Sequence, residues 1–183
     1  MAAGARGDQV IFSGVGKTRA EMAQGLQAGI ACFNVESESE LRRLSAIASG
    51  SGKRAPVSLR VNPDVDARTH HKIATGKSEN KFGIPISRAR AVYAEAATMP
   101  SLEVTGVDMH IGSQITDLGP FRAAFARVAA LIAELRADLQ RLKRDTDSGR
   151  SAAAPIYAET SPASGAAMTV SWTKRLDVSF SRR

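Results

Sequence analysis

A short apolar segment followed by a helical pattern recurs four times between residues 9 and 139. Strands that alternate with helices imply a parallel sheet, which is either an open doubly wound sheet or a (β/α) barrel. No Gly-x-Gly-x-x-Gly opens a helix, so the dinucleotide-binding form of the open sheet lacks support. The apolar segments, read as strands, are Gln9–Ser13, Ala31–Val35, Pro56–Asn62 and Val104–Ile111.

Polar residues mark where the first two helices begin. Thr18 with Glu21, and Ser37 with Glu40, have the spacing of a capping box, and Gly29 can end the first helix. These signals predict one helix after each of the first two strands.

The two later helices are predicted from a cap and from apolar periodicity. Ser87 is expected to cap a helix that runs to about Thr98, and Asp117 with Pro120 opens the last helix. The apolar positions of that last helix are Phe121, Phe125, Val128, Ile132, Leu135 and Leu139.

The composition limits the class of protein. The chain has 183 residues, of which 43% are hydrophobic, and it contains no run of about 18 apolar residues that could span a membrane. Residues 1–9 lack the apolar core of a secretory signal. A single cysteine, Cys32, suits a reducing compartment, and one cysteine with three histidines is too few for a Cys/His metal finger. We therefore expect a cytoplasmic protein without a metal site.

The net charge of +7 is concentrated toward the C-terminus. Residues 140–183 hold 8 Lys and Arg against 4 Asp and Glu, and no basic stripe is interleaved with aromatic residues. We therefore expect neither nucleic-acid nor membrane binding.

Polar residues alternate with apolar ones at the ends of three predicted strands. Because alternation separates the two faces of a strand, the polar set would share one face. In a barrel this face points inward, and active sites lie at the C-terminal ends of the strands. The expected cluster comprises Asn34, Glu36, Arg60, Asn62, Asp108 and His110.

Five sequence strings carry a family resemblance. In order along the chain they are Phe12–Lys17, Phe33–Ser37, Leu59–Pro63, Thr75–Ile84 and Met109–Gln114. Together they resemble the diaminopimelate decarboxylase family, whose members are pyridoxal-phosphate enzymes with an alanine-racemase-like barrel. The resemblance covers about residues 9–139 and implies a partial (β/α)8 TIM barrel, with about four of the eight strands. The continuation Asn62-Pro63-Asp64-Val65-Asp66 favours this family over the ornithine and arginine decarboxylases.

The resemblance implies pyridoxal 5'-phosphate as cofactor and assigns roles to three residues. The family histidine that lies against the cofactor ring matches His110, and the serine near the cofactor phosphate matches Ser113. Arg60 matches a family arginine at the cofactor end of its strand. The segment Lys81-Phe82-Gly83 matches one near the subunit contact of a homodimer.

The family's lysine, which forms a Schiff base with the cofactor, has no match in this chain. Its Ala-x-Lys-Ala-Asn motif is absent, so no catalytic residue is assigned. Lys17 is the local substitute to consider, although a solvated or capping lysine is the expected role. We expect residues 1–139 to be a partial barrel that binds the cofactor, and residues 140–183 to be a divergent tail, irregular or frameshifted.

The resemblance therefore implies a fragment of an enzyme that decarboxylates meso-2,6-diaminopimelate to L-lysine. We expect the fragment to be inactive alone, because the cofactor lysine and the C-terminal domain are missing. Two alternatives are an ornithine- or arginine-type decarboxylase of the same fold, and a non-catalytic module that binds the cofactor or a partner.

Overall fold

The computed structural model describes residues 4–65, 82–112, 115–147 and 169–171. Its strands and helices alternate as predicted up to the fourth helix. After a 3-10 turn at Gly7–Gln9, the elements are β1 (Ile11–Phe12), α1 (Arg19–Ala28), β2 (Cys32–Val35), α2 (Glu38–Gly50), β3 (Ala55–Asn62), β4 (Ile84–Pro85), α3 (Ile86–Ala97), β5 (Leu102–Asp108), α4 (Leu118–Asp147) and β6 (Thr169–Ser171).

The main sheet has the strand order β1-β2-β3-β5-β6. The first four of these strands are parallel, as the alternation with helices predicts. The short strand β4 also pairs in parallel with the end of β3, whereas β6 pairs with β5 in the antiparallel direction. The described strands form an open sheet that does not close into a barrel.

The first helix has the predicted ends. The Thr18 side chain accepts from the backbone N–H of Glu21, and the Glu21 side chain accepts from the backbone N–H of Thr18. Gly29 follows the last turn with φ of 61°, a left-handed conformation that glycine adopts without a steric penalty.

The starts of α2 and α3 differ from their predictions. Ser37 caps α2 by accepting from the backbone N–H of Glu40, but the Glu40 carboxylate bonds to Lys17 instead of completing the capping box. Ser87 does not cap α3, which begins at Ile86 directly after Pro85. Because Pro85 is still paired with β3, the chain passes from strand to helix with no residue left for a separate cap.

The core lies between the sheet and the four helices. The predicted stripe of α4 is confirmed at its centre, where Val128, Ile132 and Leu135 are buried, while Phe121 and Phe125 pack against the core from its edge. The sheet residues buried against the helices include Phe33, Val35, Val57, Leu59, Val61, Val107 and Met109.

A β-bulge resets the alternation of β5. Val57 pairs with Val104, but Ser58 pairs with Gly106, so Thr105 is an extra residue. The Thr105 hydroxyl donates to the carbonyl oxygen of Val57 at 3.1 Å. The bulge brings Asp108 into register with Arg60, on the polar face of the sheet.

The last described helix, α4, ends at Asp147, beyond the predicted domain boundary at residue 139. The division of the chain into residues 1–139 and a tail stays a prediction. No helix within the described ranges is long and apolar enough to cross a membrane.

We predict that Thr18→Ala lowers the free energy of unfolding by about 1 kcal/mol. The substitution removes a hydroxyl that accepts from the backbone N–H of Glu21 and donates to the Glu21 carboxylate. Urea unfolding followed by circular dichroism measures the change. Thr18→Ser keeps the hydroxyl and should lose only a few tenths of this energy; equal losses for both variants would contradict the role of the cap.

Candidate active site

The predicted polar residues lie together at the C-terminal ends of the parallel strands. Asn34, Glu36, Asn62 and Asp108 are buried, whereas His110 is exposed. The Arg60 side chain is 12% exposed. A polar layer is therefore enclosed on the sheet face opposite the helices, with one imidazole at its rim.

An ion pair joins the second and third strands of this layer. Arg60 Nη1 donates to Glu36 Oε2 at 2.7 Å, and the other Glu36 oxygen accepts from the backbone N–H of Gly14 at 3.1 Å. Arg60 Nε is buried and has no hydrogen-bond partner among the described residues. The guanidinium is thus fixed on one side and keeps a donor unused.

Lys17 is buried, which contradicts the expectation of a solvated or capping lysine. Its ammonium group donates to the carbonyl oxygens of Gly14 at 2.6 Å and Asn34 at 2.7 Å, and to Glu40 Oε1 at 2.6 Å. An ammonium group has three protons, so these bonds use all of them. No sequence pattern indicates this role, because a glutamate at capping-box spacing is normally interpreted as a local cap.

The side-chain amides of the two predicted asparagines donate to groups outside the ion pair of Glu36 and Arg60. Asn34 donates to the Ser13 hydroxyl at 2.7 Å, and Asn62 donates to the carbonyl oxygen of Phe82 at 2.6 Å. They hold the neighbouring loops in place. Phe82 lies partly exposed beside this face.

Asp108 lies beside the ion pair with an unusual pKa. Burial raises the pKa of its carboxyl from 3.8 to about 6, and the negative charge of Glu36 adds to the rise, while Arg60 opposes it. Burial also raises the pKa of the Cys32 thiol to about 12, and its sulfur lies 3.5 Å from the Thr105 hydroxyl.

His110 follows β5 at the rim of the polar layer. Burial of part of the ring, followed by the nearby charge of Arg60, lowers the pKa of the imidazole, against an opposing effect of Glu36. This shift favours the neutral imidazole, which can stack on a ring without bringing a second positive charge beside Arg60.

Several predicted residues lie outside the described parts of the chain. They include Ser113, the expected phosphate contact, and Lys81 of the expected subunit contact. Within the described residues, no group of three or more His, Cys, Asp or Glu side chains could hold a metal ion.

Comparison with known proteins gives the family of this polar site. The family model for the pyridoxal binding domain of pyridoxal-dependent decarboxylases matches residues 1–144. The chain belongs to this family of pyridoxal-dependent decarboxylases.

Relatives within the family include diaminopimelate decarboxylases from Pseudomonas aeruginosa and Vibrio cholerae. The chain is 58% identical to the first over 135 residues and 56% identical to the second over 138 residues. These matches cover 74% and 75% of the chain, but 32% and 33% of the relatives. The chain therefore spans about a third of the length of these relatives.

Solved structures give the same result for the fold. The chain is similar to diaminopimelate decarboxylase from Helicobacter pylori in complex with L-lysine, with 41% identity and a TM-score of 0.72 over 74% of this chain and 34% of that one. For the diaminopimelate decarboxylase from M. jannaschii, also in complex with L-lysine, the identity is 38% and the TM-score 0.66, over 73% of this chain and 31% of that one. The structural neighbours confirm the partial barrel, although the described sheet is open.

The polar site fits the family's cofactor in part. Pyridoxal phosphate is a flat aromatic anion, which suits the exposed ring of His110 and the positive charge of Arg60. Covalent attachment does not fit the described lysine side chains. Lys17 is fully hydrogen-bonded, and Lys53, which donates to the carbonyl oxygen of Leu26, precedes β3 at the opposite end of the strand.

We predict that Asp108→Asn raises the free energy of unfolding at pH 8 by up to about 3 kcal/mol. Because the folded-state pKa of about 6 exceeds the ordinary 3.8, ionisation of Asp108 destabilises the fold as the pH rises from 4 to 6. Urea unfolding from pH 4 to 8 should show the gain growing across this window. Asp117→Asn, at an exposed cap where asparagine also serves, should show no such growth.

We also predict that Lys17→Met lowers the free energy of unfolding by about 3–5 kcal/mol, because it leaves the Glu40 carboxylate buried without its cation. The double variant Lys17→Met/Glu40→Leu should recover most of the loss. Lys53→Met removes a lysine that has no carboxylate partner among the described residues, and should change stability by about 0.5 kcal/mol or less. Equal losses for both single variants would contradict the importance of the pair.

Proposed function

We propose that this chain is the part of a diaminopimelate decarboxylase barrel that faces the cofactor ring. The full-length enzyme would remove carbon dioxide from meso-2,6-diaminopimelate to give L-lysine. The identity of 58% to a diaminopimelate decarboxylase supports this substrate most directly. The likeness to a viral arginine decarboxylase, at 20% identity and a TM-score of 0.61, supports the fold alone.

We propose that His110 and Arg60 hold the cofactor, together with Ser113. The imidazole of His110 would lie against the ring, and the guanidinium of Arg60 would supply a positive charge. A serine hydroxyl would suit the phosphate. When bound, pyridoxal phosphate supplies the electron-withdrawing ring that accepts the electron pair left by decarboxylation.

The residues of this chain contribute orientation and electrostatics. The pairing of Arg60 with Glu36 would keep the guanidinium from following a substrate carboxylate. Partial burial lowers the pKa of His110 and so favours the neutral imidazole, which would stack on the cofactor ring. The strand ends thus hold the cofactor in one orientation, which aligns the bond to be broken.

For the 183-residue chain by itself, we propose reversible binding of the cofactor without decarboxylation. The three hydrogen bonds of Lys17 support this, because a side chain that donates three protons to acceptors is an ammonium group, whose nitrogen has no lone pair for attack on an aldehyde. The family resemblance further leads us to propose a homodimer for the full-length enzyme, a cytoplasmic location, and an amino acid as the small-molecule substrate.

A chimera tests the proposed substrate. Residues 1–144 of this chain would replace the matching part of the P. aeruginosa relative, and carbon dioxide release would be measured from meso-2,6-diaminopimelate, ornithine and arginine. We expect decarboxylation of diaminopimelate alone, since the rest of the relative supplies the missing parts. The same chimera with His110→Ala should have a lower kcat, because the ring contact is lost. A preference for ornithine or arginine would contradict the proposal.

A further inference from the structure

Arg60 lies between two carboxylates that come from opposite sides of β3. Asp108, on β5, is its register partner, and Glu36 follows β2 on the other side. Both carboxylates are buried, so either could hold the guanidinium in a place with little water to screen the attraction. The hydrogen bond of 2.7 Å goes to Glu36.

Glu36 is the better anchor because it is itself fixed at two further points. Its Oε1 accepts from the backbone N–H of Gly14, and its backbone carbonyl oxygen accepts from the N–H of Gly83 at 3.0 Å. Gly14 is held in turn by the Lys17 ammonium group, which donates to its carbonyl oxygen. Glu36 is therefore tied to two loops, to one by its carboxylate and to the other by its backbone, which restrains the carboxylate that holds Arg60.

The pairing fixes the orientation of the Arg60 guanidinium. Nη1 is held on Glu36, while the buried Nε has no acceptor among the described residues. An arginine drawn instead to Asp108 would turn its donors toward β5 and lose this orientation. We infer that Glu36 is a positioning residue, which holds the Arg60 guanidinium in the orientation that cofactor binding requires.

This inference rests on the proposed function, so its test uses a cofactor analogue that binds without chemistry. Pyridoxine 5'-phosphate lacks the aldehyde and cannot attach to surface lysines. Equilibrium dialysis would give its Kd for the 183-residue chain, for Glu36→Gln, for Arg60→Gln and for the double variant. Circular dichroism would confirm that each variant is folded.

We expect Glu36→Gln to weaken binding by about tenfold in the unaltered chain and to have no further effect when Arg60→Gln is present. This non-additivity is expected only if Glu36 acts through Arg60. Glu38→Gln is the matched control, since Glu38 pairs with Arg42 and Arg88 on the outer helices, and it should leave the Kd unchanged.

Glu36→Asp keeps the charge on a shorter side chain and serves if Glu36→Gln does not fold. It should weaken binding less than the glutamine variant, and again only when Arg60 is present. Additive losses, or no loss from either Glu36 variant, would overturn the inference while leaving the proposed function in place. Lack of saturable binding by the unaltered chain would overturn the proposed function, and the inference with it.

Discussion

Charge buried on one face of a parallel sheet is the constraint on which this structure depends. Water cannot solvate Lys17, Glu36 or Glu40 where they lie, so each needs a partner of opposite charge or a backbone group. The partners come from different β/α units, since Lys17 precedes α1 while Glu40 lies in α2. The pairs therefore fix the loops at the ends of the strands, and these loops shape the site.

The position of the site was predictable because it follows from alternation along single strands. Arg60 and Asn62 face away from the buried valines of β3 in any parallel sheet packed under helices. The face of Asp108 on β5 was predicted correctly for a less secure reason. The bulge at Thr105 changes the phase of the strand, so a pattern counted from Leu102 would have placed Asp108 on the wrong face.

The partners of the site residues were not predictable in the same way. Ser37 and Glu40 match a capping box, and the same spacing serves a glutamate that turns to a lysine 23 positions away. Local spacing cannot distinguish these outcomes, because the choice depends on where another loop places its cation. The predicted start of α3 at Ser87 is wrong for a related reason, because pairing between β4 and β3 extends the strand to Pro85.

Lys17 shows that the hydrogen bonds of a lysine, and not its position alone, decide whether it can act as a nucleophile. It lies at a strand end, among the charges that surround Arg60, where an attacking amine would be useful. An amine must lose a proton before it can attack, and here every proton of the ammonium group is donated to an acceptor. Neutralising Lys17 would also strand the Glu40 carboxylate in a buried position. The network that stabilises this part of the barrel thus supports the proposal that Lys17 takes no part in the covalent step, which requires a lysine with a free electron pair.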